Sequence, residues 1–261
     1  MRSYLFDAKR ARVEIQKMIQ STHFIGLKAA YNKVGADTWL CDDFLTSNLK
    51  RSRLLFEPQS LKSLNPRPKS VDVNALLSGL PFQENVINGL LTVQQDISEI
   101  LNNTLHYWVK PQNLGIEYCV FKWPDGSWKS EWHPLIKDAI SEIEQLAYIL
   151  DIRGVQVNPD GCVVARGYDC NRSLFRIREH MQKTLSFLPE RQSGWAHIPL
   201  GRILEPVGKR RFKKLNAYFH EKANSHITTV EIDRVHYVNE TRWYMEERTT
   251  LLSRLLQKNA Q

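Results

Sequence analysis

The segment Trp195-Ala-His-Ile-Pro-Leu-Gly-Arg-Ile-Leu204 constrains the fold most, because it sets one histidine inside an apolar run. A short apolar run bounded by turn formers reads as a strand. Upstream, Leu174, Ile177, Met181, Leu185 and Leu188 recur at three and four residues and mark an amphipathic helix. Downstream, Lys209-Arg-Arg-Phe-Lys-Lys214 opens a short basic helix carrying Phe212, Leu215 and Phe219, and Thr228, Val230 and Ile232 start another strand. A strand set between two one-sided helices needs a sheet for them to cover.

The alternation continues toward the N-terminus. Ile87, Leu90, Leu91, Ile97 and Leu101 share a helical face, and Ile116, Tyr118 and Val120 alternate with Glu117, Cys119 and Phe121 in a strand that can be covered on both sides. Ile136, Ala139, Ile140, Ile143, Leu146, Ala147 and Leu150 predict a helix over 136–150. Gly154–Val157 and Cys162–Arg166 flank Asn158-Pro-Asp-Gly161, a turn sequence that predicts a hairpin. Residues 4–33 carry a ragged helical pattern. Residues 57–85, with Pro58, Pro66, Pro68, Gly79 and Pro81, read as a connecting segment, since proline breaks helices and central strands. The expected division is an N-terminal helical extension and linker over 1–79 and a main α+β domain over 80–261.

Composition narrows the function classes. No run approaches the roughly 18 apolar residues of a membrane helix, and the N-terminus lacks the apolar core of a signal peptide. No membrane partner is expected, and a cytoplasmic location is the default. Cys41, Cys119, Cys162 and Cys170 show no Cys-x-x-Cys spacing and read as reduced packing residues. No His-Glu-x-x-His, GxGxxG, Walker-type or Gly-x-Ser-x-Gly motif occurs, so neither a metal nor another cofactor is expected. The net charge of +8 favours a polyanionic partner such as RNA or a nucleotide. Interspersed charges of both signs also suit a surface that is merely soluble.

The order of segments resembles the 2H phosphoesterase (LigT-like) superfamily, in which two strands each carry a His-x-Thr or His-x-Ser motif. The second motif corresponds to His197-Ile198-Pro199. The first, after a Pro-x-Asn-Leu loop, corresponds to Val109-Lys-Pro-Gln-Asn-Leu-Gly-Ile-Glu117, with Gly115 at the histidine and Glu117 at the threonine. The resemblance covers Leu80 to the end. It implies a two-lobed domain with antiparallel or mixed sheets flanked by helices, and a protein acting on or binding RNA ends, cyclic phosphates or small nucleotides. It also places His197 and Glu117 as catalytic candidates and Gly115 and Pro199 against the substrate. Two departures matter. Proline offers no hydroxyl donor, and an ionised Glu117 would repel a phosphate. A catalytically inactive nucleotide- or RNA-binding relative and a protein-interaction domain therefore stand as alternatives.

Other residues compete for roles. Lys209, Arg210 and Lys214 could capture phosphates from a helix face, and Tyr244, beside Trp243, could stack on a base. The loop Lys122–Trp128 reads as a rim. His106 and His226 are rival histidines, the latter in a literal His-x-Thr that more naturally begins a neighbouring strand. Arg202 lies five residues after His197, so strict period two sends it to the opposite face unless the strand bends.

Overall fold

The computed structural model describes residues 21–40, 44, 49–169 and 171–257. In chain order the elements are α1 (Thr22–Leu40), α2 (Lys50–Arg53), α3 (Pro58–Lys62), β1 (Ser70–Gly79), α4 (Glu84–Leu101), β2 (His106–Trp108), β3 (Gly115–Lys122) and α5 (Trp132–Ser141). There follow β4 (Tyr148–Val157), β5 (Cys162–Asp169), α6 (Ser173–Thr184), β6 (His197–Ile203), α7 (Gly208–Lys222), β7 (His226–Ile232), β8 (Arg234–Arg242) and β9 (Glu247–Leu255). The strands form two antiparallel sheets, ordered β3-β1-β8-β9 and β2-β6-β5-β4-β7. This is the expected two-lobed α+β architecture.

Helix α4 shows how sequence becomes packing. Val86, Leu90, Val93, Ile97 and Leu101 recur at three and four residues, and all are buried on the side that meets β6 and β7. Fully buried side chains such as Leu90 and Ile97 each contribute about 1.5–3 kcal/mol. The two lobes then repeat one route. In the first, β1 leads through α4 to its antiparallel neighbour β3; in the second, β5 leads through α6 to its antiparallel neighbour β6. Gly115 and His197 are each the first residue of the returning strand.

Three sequence expectations need correction. Residues 70–79, read as part of a connecting segment, form β1 between β3 and β8, so the first sheet begins ahead of residue 80 and a cut there would remove a central strand. The prolines at 66, 68 and 81 flank this strand and never enter it, so no ladder hydrogen bond is lost. The helix predicted over 136–150 ends at Ser141, and Tyr148–Val157 is a strand between β5 and β7. Leu150 satisfies both periods, and its pairing with Asp169 and Val230 decides between them. The segment ahead of β1 is also more than an appendage. In α1, Tyr31 donates a hydrogen bond to the Gly167 carbonyl at 3.3 Å, Thr38 donates to that of Val157 at 2.7 Å, and Phe24 packs on Tyr168. Of the residues read as a ragged helix, 4–20 lie outside the described residues, as do Cys41 and Cys170; Cys119 and Cys162 are free and buried.

Candidate functional site

Strands β3 and β6 pack side by side although they belong to different sheets. Arg178, on the apolar side of α6, ties them together. Its Nε donates to the Tyr118 carbonyl at 2.8 Å, and its Nη2 donates to the carbonyls of Glu117 and Trp195 at 2.7 Å each. The guanidinium thus bonds the first motif strand to the residue two before His197. Phe175 lies 5.2 Å from it and closes one side.

Where the strands meet, a cavity of about 440 Å³ opens between the lobes. Gly115, Glu117, His197, Pro199 and Tyr244 all line it, whereas Lys209, Arg210 and Lys214 are exposed on α7 and do not. The rim loop supplies Trp123, Pro124 and Asp125. Of the rival histidines, His106 bonds the Thr104 carbonyl through Nδ1, and His226 begins β7 and lies 3.3 Å from Asp151; neither lines the cavity. Among the described residues no cluster of His, Cys, Asp and Glu could hold a metal ion.

Arg202 is a further correction, because it lines the same cavity as His197. The β5–β6 register slips by one residue, with Val163 opposite Gly201 but Val164 opposite Pro199, so Leu200 is an extra residue that restores the parity of Arg202. Once inside, Arg202 pairs with Asp160 at 2.8 Å and donates through Nε to the Tyr244 hydroxyl. Tyr244 and Met245 both hold left-handed backbone, at φ 63° and 57°, at a cost of order 1 kcal/mol each for non-glycine residues. Arg202, Glu240 and Arg248 fix that turn: the Met245 N–H donates to Glu240 Oε1 at 2.9 Å, and Arg248 donates to the Met245 carbonyl at 2.7 Å.

Burial drives three ionisable groups of the cavity, His197, Glu117 and Glu240, toward their neutral forms. Burial pushes the His197 imidazole down to about 4, and the nearby Arg178 charge adds to this; Nδ1 is buried while the residue as a whole stays partly open to the cavity. Burial raises Glu117, against the pull of Arg178 and Arg191. Burial also raises Glu240 to about 8, with the proximity of Glu117 acting in the same direction against the Met245 N–H and Arg248. Near neutral pH the cavity therefore holds a neutral imidazole beside the carboxylic acid of Glu240, and burial shifts Glu117 in the same direction, toward its protonated form. Arg191 caps one side, its guanidinium 4.5 Å from the Trp123 ring centroid.

Sequence reasoning missed Glu240, Arg178 and Arg191. The available signals were a charge in the inward register of Val238 and Glu240 on β8, and an arginine on the apolar face set by Leu174, Ile177 and Met181.

No protein-family model matches the chain, and no curated protein sequence matches it at a significant level. Solved structures do. TT0787 of Thermus thermophilus is 15% identical, covering 72% of this chain and all of that one, with a TM-score of 0.52. LigT of E. coli, crystallised with 3′-AMP, is 10% identical over 72% of this chain and 99% of that one, also at 0.52. The chain has the LigT fold. A conserved protein of unknown function from Agrobacterium tumefaciens, ATU0111, shares it at 10% identity, 0.52, and coverage of 81% and 97%.

Within this fold, position 115 is tight for a side chain. A Cβ on Gly115 would sit 3.1 Å from the Ser78 carbonyl oxygen and 3.2 Å from Leu80 Cδ2. Gly115→His is accordingly expected to cost about 1–3 kcal/mol of stability by overpacking. Urea unfolding measures this, and an unchanged midpoint would show that β3 yields at that point.

Proposed function

We propose that the cavity between the lobes binds a phosphoester, and that its residues cleave a cyclic phosphodiester of an RNA end or small nucleotide. The observation that carries this reading is that positions 115, 117, 197 and 199 line one cavity. The fold adds support, since LigT with this architecture has been crystallised with phosphate and with 3′-AMP. In the proposed step His197 takes a proton from an attacking water as its oxygen bonds to phosphorus. The ring P–O bond breaks, and the departing oxygen receives a proton from Glu117. Burial raises the Glu117 pKa and so favours the donor form over an ionised carboxylate that would repel the phosphate. Trp243 and Tyr244 form the wall suited to a base.

The test is incubation with a 2′,3′-cyclic nucleotide followed by phosphorus NMR. A ring-opened monophosphate is expected. No turnover, together with no shift of the Trp123 and Trp243 indole signals, would overturn the reading. The absence of a hydroxyl at Pro199 favours a second reading, binding without cleavage; indole shifts without turnover would select it.

Longer RNA provides a separate test of α7. If Lys209, Arg210 and Lys214 contact phosphates, RNA affinity falls with salt at a log–log slope of about −0.7 per contact. Arg210→Glu with Lys214→Glu should flatten that slope by roughly two contacts' worth while the fold persists, since both side chains are exposed. Fluorescence anisotropy across a salt series reads it, and an unchanged slope would remove α7 from the interface.

A further inference from the structure

A second cavity, of about 380 Å³, lies between α1, α7 and β4 and, among the described residues, shares no lining residue with the cleft. We infer that it is an anion site built on Arg166, suited to the carboxylate or phosphate group of a small molecule. Arg166 is 3% exposed. Its guanidinium donates to Gln156 Oε1 at 2.9 Å, Asn32 Oδ1 at 2.8 Å and the Ala223 carbonyl at 3.0 Å, all neutral acceptors. Among the described residues no carboxylate forms an ion pair with it. Hydrogen bonds of this kind orient the group but, among the described residues, leave its charge buried without a counter-ion. Burial accordingly holds its pKa below the ordinary guanidinium value.

The rest of the cavity complements an anion. Asn216, His220 and Asn224 follow one another at four-residue spacing along α7 and the turn after it, and among the described residues no acidic side chain joins the lining. Among those residues, too, these three side chains make no hydrogen bond, so their N–H groups are unengaged by protein. A Cβ at Gly35 on α1 would fall 3.1 Å from Arg166 Nη2, so the glycine lets the helix lie close against the guanidinium. Trp39 adds a flat apolar wall, and the volume falls within the range of small-molecule sites.

The experiment titrates the full chain separately with inorganic phosphate and with acetate, following indole N–H signals by ¹H–¹⁵N NMR. The Trp39 indole is identified by its loss in Trp39→Phe. It should shift with at least one of the two anions at millimolar concentration, with phosphate alone naming a phosphate-bearing ligand and acetate alone a carboxylate-bearing one. Arg166→Gln removes a buried anchor and risks unfolding, so the deciding variant is Asn216→Asp, which sets a like charge beside the site. It should weaken the Trp39 response about tenfold or more while any phosphate response at Trp123 and Trp243 stays unchanged. A Trp39 signal that neither anion moves, or one that Asn216→Asp leaves equally sensitive, overturns the inference.

Discussion

A His197→Ala protein is expected to fold and to lose about two to four orders of magnitude of cyclic phosphodiesterase rate, the usual contribution of a positioned general base. Among the described residues His197 is the one histidine that lines the cleft. The imidazole meets Trp195 edge to face with centroids 5.9 Å apart, so truncation also removes packing; His197→Gln keeps most of that volume and should lose a similar share of the rate. His226→Ala should leave the rate unchanged, because His226 is exposed at the start of β7, where its Nε2 meets the Thr229 hydroxyl at 3.0 Å and Asp151 at 3.3 Å. Rate against pH supplies a readout that a packing defect would not move. With its pKa pushed down to about 4, His197 stays neutral until the medium is strongly acidic, so the acid limb should fall near that value and vanish in the Gln variant. Full activity in both His197 variants, or loss in His226→Ala, would show that the proton leaves through another group.

How far the sequence revealed this site depends on which physical signal each part leaves. The returning strands β3 and β6 were legible because alternating or continuous apolar residues at strand length have few other uses. Strand β1 was obscured by the prolines on either side of it, which mark its ends. Residues 146–150 were obscured because a spacing of three and four can arise by chance where a helix and a strand nearly abut. The register slip at Leu200 was invisible, since nothing in Pro-Leu-Gly-Arg announces an extra residue, and it alone turns Arg202 into the cleft. Glu117 was legible as a position but not as a chemical state. A carboxylate looks repulsive to phosphate until the burial that raises its pKa is known. The tertiary reach of Arg178 across two strands belongs to the same class, because a guanidinium that bonds three carbonyls leaves no trace in local spacing.

Glu240→Gln is expected to make the protein more stable at alkaline pH and to leave it unchanged in mild acid. The carboxyl is 3% exposed, and burial lifts its pKa from 4.5 to about 8. Because the folded form holds this proton more tightly than the unfolded chain does, the group's contribution is fully present below pH 4.5. It is lost as pH rises toward 8 and stays lost above that. With one pKa unit equal to about 1.4 kcal/mol, the loss amounts to roughly 3–5 kcal/mol. Glutamine has no proton to lose and can still accept the Met245 N–H, so the variant escapes the decline without freeing the turn. Denaturant unfolding at pH 5 and pH 9 isolates the effect. Any slope left in the variant belongs to other groups such as Glu117, and the difference between the two proteins belongs to Glu240. Ionising Glu240 also places a negative charge on the cleft wall, so phosphate affinity in the native protein should drop as pH passes about 8 and should not do so in Glu240→Gln. Equal stability of the two proteins at pH 9 would mean that Glu240 is ionised and paired in the fold. The fall in phosphate affinity near pH 8 should then be absent from the native protein as well, and Glu240 would not be the group that switches the cleft's charge.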